Sequence, residues 1–195
     1  DYFIYSEDDT LFNLKNFKYW LRFKKICNKK NYNVGFLRTE KSPVDNSLWT
    51  TDQFFQLDEY VIINRKKYIV LKNPYYAMWI YDKKDFNSFV NSKFWNLYNW
   101  RGMNSFTKLY DREKSAVGWH GLNMDKYSAT IIPLKNNKVL KDSLIVHSSN
   151  KYVKERGRIH VSLKNLMKKE LIKHRVIKYS KIQLFLKELK FILYW

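Results

Sequence analysis

Apolar positions fall in short runs broken by polar, turn-forming residues, and their spacing alternates between two and three-to-four along the chain. Tyr2-Phe3-Ile4-Tyr5 is an apolar run that ends in Glu7, Asp8 and Asp9, which predicts a short buried strand bounded by acids. Asn13 is placed to cap the helix that follows, with Phe17, Trp20, Leu21, Lys24 and Ile26 as its stripe. "NVGFLRTE" (33–40) returns to an extended pattern, and Ser42-Pro43 with Asp45-Asn46 predicts a loop. "YVIINRKKYIVL" (60–71) has two β-branched runs around Asn64-Arg65-Lys66-Lys67, which predicts a hairpin.

The alternation continues downstream. "NPYYAMWIYD" (73–82) predicts a turn and a strand, and "KKDFNSFVNSKFW" (83–95) an amphipathic helix carrying Phe86, Phe89, Val90 and Phe94. A further helix is expected around 110–119, and strands at "SATIIPL" (128–134) and "SLIVHSS" (143–149). Strands alternating with helices predict an α/β fold, and the hairpin makes the sheet mixed rather than purely parallel. After about residue 160 the pattern changes: Ile182, Phe185, Leu186, Leu189 and Leu193 recur at helical spacing in a basic segment. The division expected is a main domain over 1–160 and a basic amphipathic helical tail over 161–195.

Composition sharpens this picture in two respects. The 195 residues are 45% hydrophobic and 18% aromatic, enough for one sizeable core, which excludes a disordered chain. The formal charge is +19, yet residues 1–60 carry nine basic and nine acidic side chains, so the whole excess lies beyond them. A basic portion of this kind attracts nucleic acid, anionic lipid or phosphorylated substrates, and charge alone does not choose among them. The tail either packs on its own domain or lies on an anionic membrane surface with its apolar face inserted. The single cysteine, Cys27, cannot form an internal disulfide and falls in a helix as a buried thiol; a reducing, cytoplasmic setting is expected. A chain that opens inside a strand also reads as a piece of a longer protein.

The acids are the first candidate chemistry. In open α/β sheets ligands gather at the carboxyl ends of strands, so Glu7, Asp8 and Asp9 are placed where a hard cation binds, unless they cap the next helix. His147 ends another apolar strand, "SLIVHSSNKY", and is either a second metal ligand or a structural histidine. His120, His160 and His174 show no metal-ligand spacing.

"YFIYSEDD" resembles the DxD-bearing strand of GT-A-type glycosyltransferases. The order of "EDD", "YWLRF", "VGFLRTE", "NPYYAMWI", "REKSAVG", "IIPL" and "HSSNKY" is similar to that of a group of bacterial glycosyltransferase-like proteins, from the first residue to Tyr152. The resemblance implies a GT-A-like mixed sheet flanked by helices and transfer of a sugar from a nucleotide-sugar donor. The acceptor would be a glycan or lipid-linked molecule of the cell surface, met at the inner face of the plasma membrane. It implies Mn²⁺ or Mg²⁺ held by Asp9 and His147, with Glu7 and Asp8 contacting the sugar nucleotide or the metal's waters.

By this resemblance, the nucleotide-binding half that such domains carry before the DxD strand is expected to be missing from this chain. The expectation is therefore the metal and acceptor part of a transferase, either a fragment or a truncated, inactive copy.

Inverting transfer needs a carboxylate base for the acceptor hydroxyl. Glu113, in "DREKSA", is the first candidate, against the rival reading of an ion-paired helix start; Glu40 and Asp52 are weaker ones. Arg112 is the candidate for the diphosphate, with Lys114, Arg38 and Arg101 as further cations. Trp49, Tyr75, Tyr76, Trp79 and Trp119 are candidates for stacking on sugar or base, although most aromatic residues must be core.

Two other classes compete. A nucleic-acid-binding module would use the charge and aromatics to neutralise phosphates and stack bases, but no RNP, KH, zinc-finger or Gly-rich phosphate motif is present. A metal-dependent phosphodiesterase would need more acids near the site. A serine hydrolase lacks its Gly-x-Ser-x-Gly elbow.

Overall fold

The computed structural model describes residues 1–50, 59–71, 75–92, 95–96, 111–118, 127–154 and 161–163. The chain begins with β1 (Tyr2–Ser6), β2 (Thr10–Leu11) and α1 (Leu14–Asn28). It continues through β3 (Tyr32–Val34), β4 (Leu37–Lys41), β5 (Leu48–Thr50), β6 (Tyr60–Ile63), β7 (Lys66–Val70) and β8 (Met78–Asp82). Then come α2 (Lys83–Val90), α3 (Asp111–Val117), β9 (Ala129–Lys135), β10 (Lys138–Val139), β11 (Leu144–His147), α4 (Lys151–Lys154) and β12 (Val161–Ser162). The fold is mixed α/β.

Asn13 caps α1 as its sequence position predicts. Its side chain accepts the N–H groups of Lys15 and Asn16, and the Asn16 side chain accepts the Asn13 N–H in return, closing a capping box. The buried face is Asn16, Tyr19, Trp20, Phe23 and Cys27, rotated from the expected stripe, and Leu21 is exposed. Polar Asn16 takes an inward place because its amide donates to the carbonyls of Asp142 and Leu144, at 2.8 and 2.9 Å. Two unpaired backbone acceptors there outweigh the gain from burying one more leucine. Cys27 is fully buried, and burial pushes its thiol up to about 12.

One five-stranded sheet runs β10-β9-β7-β6 with β3 added to β9, and another runs β12-β5-β4-β11-β2. The pairs β3–β9 and β4–β11 are parallel and the rest antiparallel, which agrees with the mixed sheet expected. The hairpin turns at Asn64 and Arg65, both left-handed, with φ of 48° and 62°.

The opening strand departs from expectation. Among the described residues β1 pairs only with β8, in a two-stranded antiparallel sheet, and Tyr2 and Ile4 remain about half exposed, so it is not a buried strand. Its inward neighbours are aromatic: Phe3 stacks on Phe86 at 4.0 Å, and Tyr5 on Trp79. α2 stops at Val90, short of the expected 95, because the Asn91 and Ser92 side chains donate to the carbonyls of Asn87 and Phe89. Gly118, at φ +55°, closes α3 where any side chain would strike Tyr81 and Trp79.

β12 pairs with β5, and Leu163 packs on the cluster of Leu37, Ile69, Leu71 and Ile132. The remainder of the expected tail, 164–195, lies outside the described residues. No helix among the described residues is long and apolar enough to cross a membrane.

Candidate functional site

The turn after β1 sends its three acids in different directions. The Thr10 N–H returns to the Glu7 carbonyl at 3.1 Å, which makes 7–10 a tight turn. Glu7 is buried and accepts the Tyr75 hydroxyl at 2.6 Å, while its N–H donates to the Ala77 carbonyl. Asp8 is exposed. Asp9 points at His147, with Oδ2 2.7 Å from Nε2. The like charges of this stretch are therefore separated by the turn itself, and no cation shared by all three is needed to hold it.

His147 reaches Asp9 through pairing that joins distant parts of the chain. β11 lies between β4, parallel to it, and β2, antiparallel, with His147 opposite Thr10. The Ser148 N–H donates to the Asp9 carbonyl at 2.8 Å, fixing the two strand ends together. On the other side β4 delivers Glu40, fully buried, whose Oε1 contacts His147 Nδ1. Its Oε2 accepts the Val153 N–H at 2.7 Å, so both oxygens of this carboxylate are engaged. The chain of contacts runs Asp9, His147, Glu40, Val153.

Hydrogen-bond accounting limits what this chain can be. A neutral imidazole has one N–H, yet each ring nitrogen faces a carboxylate oxygen. The second contact is favourable only with a proton or another cation between nitrogen and oxygen. Asp9 Oδ1 and Thr10 Oγ1 are buried with no hydrogen-bond partner among the described residues, an arrangement that costs about 1–3 kcal/mol per group unless water or an ion is bound.

Two ligand atoms 2.7 Å apart can both lie about 2.1 Å from one Mg²⁺-sized ion, close to an octahedral edge. The donor set thus fits a divalent cation at Asp9 and His147, with Glu40 orienting the imidazole from its far nitrogen. Among the described residues no group of three or more His, Cys, Asp or Glu side chains converges on a common point. Water or substrate oxygens would have to supply the other positions.

Aromatic residues and a guanidinium complete the surroundings. Tyr152 stacks on His147 at 5.4 Å, and buried Arg38 lies over the rings of both Tyr75 and Tyr152, at 5.1 and 5.7 Å. Arg38 and Glu40 share one face of β4, two residues apart. Ser149 Oγ is 3.2 Å from Nε2 and 3.3 Å from Nδ1 of His147, but each nitrogen already faces a carboxylate oxygen, so the pair is not arranged as a nucleophile and its base.

The other candidates are on α3, on β5, in the core or outside the described residues. Arg112 is exposed on α3, which docks on the β1–β8 pair through the Trp79 indole N–H donating to the Ser115 carbonyl at 2.9 Å. Glu113 and Lys114 are on the same helix, their side chains outside those described. Asp52, Arg101, Trp119, His120, His160 and His174 lie outside the described residues. Tyr76 and Trp79 are core, and Trp49 donates to Ser47 Oγ.

Sequence reasoning ranked Glu40 low and did not assign Tyr152. The signal was available in "FLRTE", where two charged residues alternate within an apolar strand and therefore need buried partners. Comparison of the chain with protein-family models, with curated proteins and with solved structures finds no match.

Proposed function

We propose that the protein is a metal-dependent glycosyltransferase of GT-A type, or the metal and acceptor part of one, acting on a nucleotide-sugar donor and a glycan or lipid-linked acceptor. The observation that carries the reading is the contact of Asp9 with His147, at 2.7 Å, beside the buried, unpartnered Oδ1 of Asp9. The resemblance of "YFIYSEDD" and "HSSNKY" to such enzymes singles out the same two residues.

Cleavage of a sugar–diphosphate bond leaves negative charge on the departing phosphate, and a Mn²⁺ or Mg²⁺ ion supplies the Lewis acidity that stabilises it. Asp9 and His147 would hold that ion, and Glu40 would keep the His147 ring oriented through its far nitrogen. Arg38, wedged between Tyr75 and Tyr152, adds a fixed positive charge for the diphosphate. Glu113 is assigned as the base that takes the acceptor proton if configuration inverts, and Arg112 as a second diphosphate contact.

Calorimetric titration of Mn²⁺, with and without uridine diphosphate, tests this reading. Binding strengthened by the nucleotide and abolished in both Asp9→Ala and His147→Ala is the expected result. A folded protein that binds no Mn²⁺ under either condition overturns the metal site, and leaves the Asp9–His147–Glu40 chain as a structural ion network. Polynucleotide binding with a steep salt dependence and no response to Asp9→Ala would then favour the noncatalytic nucleic-acid-binding alternative.

A further inference from the structure

A second concave site lies at the opposite end of β11 from His147. The cleft is about 650 Å³, within the range of small-molecule pockets, and separate elements converge on it. α1 contributes Lys18 and Arg22, the β6–β7 turn contributes Arg65, β7 adds Lys66 and Lys67, and β9 ends in Lys135. Asp142 is the single acid among the described lining residues. Six cations and one acid around a cavity set up a positive potential there, which draws an anionic ligand.

Lys67 is half-buried and the other five cations are exposed, and several features order parts of this rim. The Asn16 amide clamps α1 to the carbonyls of Asp142 and Leu144, which fixes the helix cations beside Asp142. Arg22 and Lys67 lie over the rings of Phe23 and Tyr60, at 5.4 and 5.2 Å. Two hairpin tips end in left-handed pairs, Asn64-Arg65 and Asn136-Asn137. In such turns the second place is ordinarily glycine, and here it holds an arginine at φ 62°. A strained backbone position given to a cation, rather than to the residue that would relax it, points to use of the charge.

We propose that this cleft binds a compact ligand carrying at least two clustered phosphate groups, independently of the Asp9–His147 site. Arg22 and Arg65 present planar guanidinium forks suited to phosphate oxygens, and the lysines supply further charge. A cavity of this size admits a diphosphate or triphosphate group, whether on a free molecule or on a lipid headgroup. A polynucleotide would instead need an extended track.

The test is calorimetry with inorganic tripolyphosphate in the presence of a metal chelator, with flotation on phosphatidylcholine vesicles containing roughly one-fifth cardiolipin as a parallel arm. The expected result is saturable binding that survives Asp9→Ala and Lys83→Glu/Lys84→Glu. It should weaken about tenfold or more in Arg22→Glu/Arg65→Glu. Should the reversal variant fail to fold, Arg22→Gln/Arg65→Gln removes the charge without adding any, and should give the same direction.

Flotation that tripolyphosphate competes away identifies the source as a lipid headgroup, and binding in solution alone identifies a free ligand. An equal loss in Lys83→Glu/Lys84→Glu, or no binding of either probe by folded protein, overturns the proposal. So does tighter binding of a single-stranded oligonucleotide of about 20 nucleotides that grows with its length, because the ligand is then a polymer.

Discussion

Glu40 is buried completely, and its position is tolerable because both of its oxygens are occupied, one by His147 Nδ1 and the other by the Val153 N–H. Glu40→Gln keeps the shape and removes half of the acceptor capacity: the single amide oxygen can serve the imidazole or the backbone, not both. If the amide NH₂ faces His147, the ring must accept at Nδ1 and carry its proton on Nε2, where the metal would bind. The expected outcome is a loss of about 1–3 kcal/mol in urea unfolding and Mn²⁺ affinity weaker by roughly 10–100-fold. Glu40→Asp should recover part of the metal affinity if the carboxylate reaches the ring. A drop in stability with metal binding untouched would reduce Glu40 to a purely structural role.

The β6–β7 hairpin shows how local chemistry and the proposed ligand site pull in different directions. Arg65→Gly should relax the left-handed position and stabilise the fold by about 1 kcal/mol, read as a rise in the thermal midpoint. The same change removes a guanidinium from the basic cleft, so tripolyphosphate affinity should fall while stability rises. A variant that loses both has damaged the hairpin and would contradict the argument about strain.

Elements of this kind were legible in the sequence because their signals are local: the Asn13 cap, the β-branched hairpin and the strand ending in His147 all appear as expected. What pairs with what was not legible. Glu40 and His147 are 107 positions apart and meet through the parallel pairing of β4 with β11, and no local pattern encodes that register. The half-exposed β1 was misjudged for the same reason: an aromatic run looks identical whether one face or both are covered. Asp9 and His147 could be singled out by residue type and strand position, whereas the divergence of Glu7, Asp8 and Asp9 depends on the turn that follows β1.

Across the molecule, the core is rich in groups that ionise only at high pH. Cys27, Tyr19 and Tyr76 are buried in one cluster, and burial holds each of them above its ordinary value; Tyr127 is raised by burial and by Asp85 beside it. In the unfolded chain the thiol ionises near 9.0, and in the folded protein near 12. Between these values the folded state holds the proton that the unfolded state has lost, so rising pH favours unfolding. The stabilisation is fully present below pH 9.0 and is lost as pH rises through about 12. Thermal melts should therefore give a midpoint that falls above pH 9. Cys27→Ala should start lower, because the small side chain leaves a cavity, yet decline less steeply over the same interval. Loss of lysine charge acts on both proteins alike and cancels in the comparison. Parallel declines would mean that Cys27 is not protected by burial and that α1 opens enough in the folded state for its thiol to ionise.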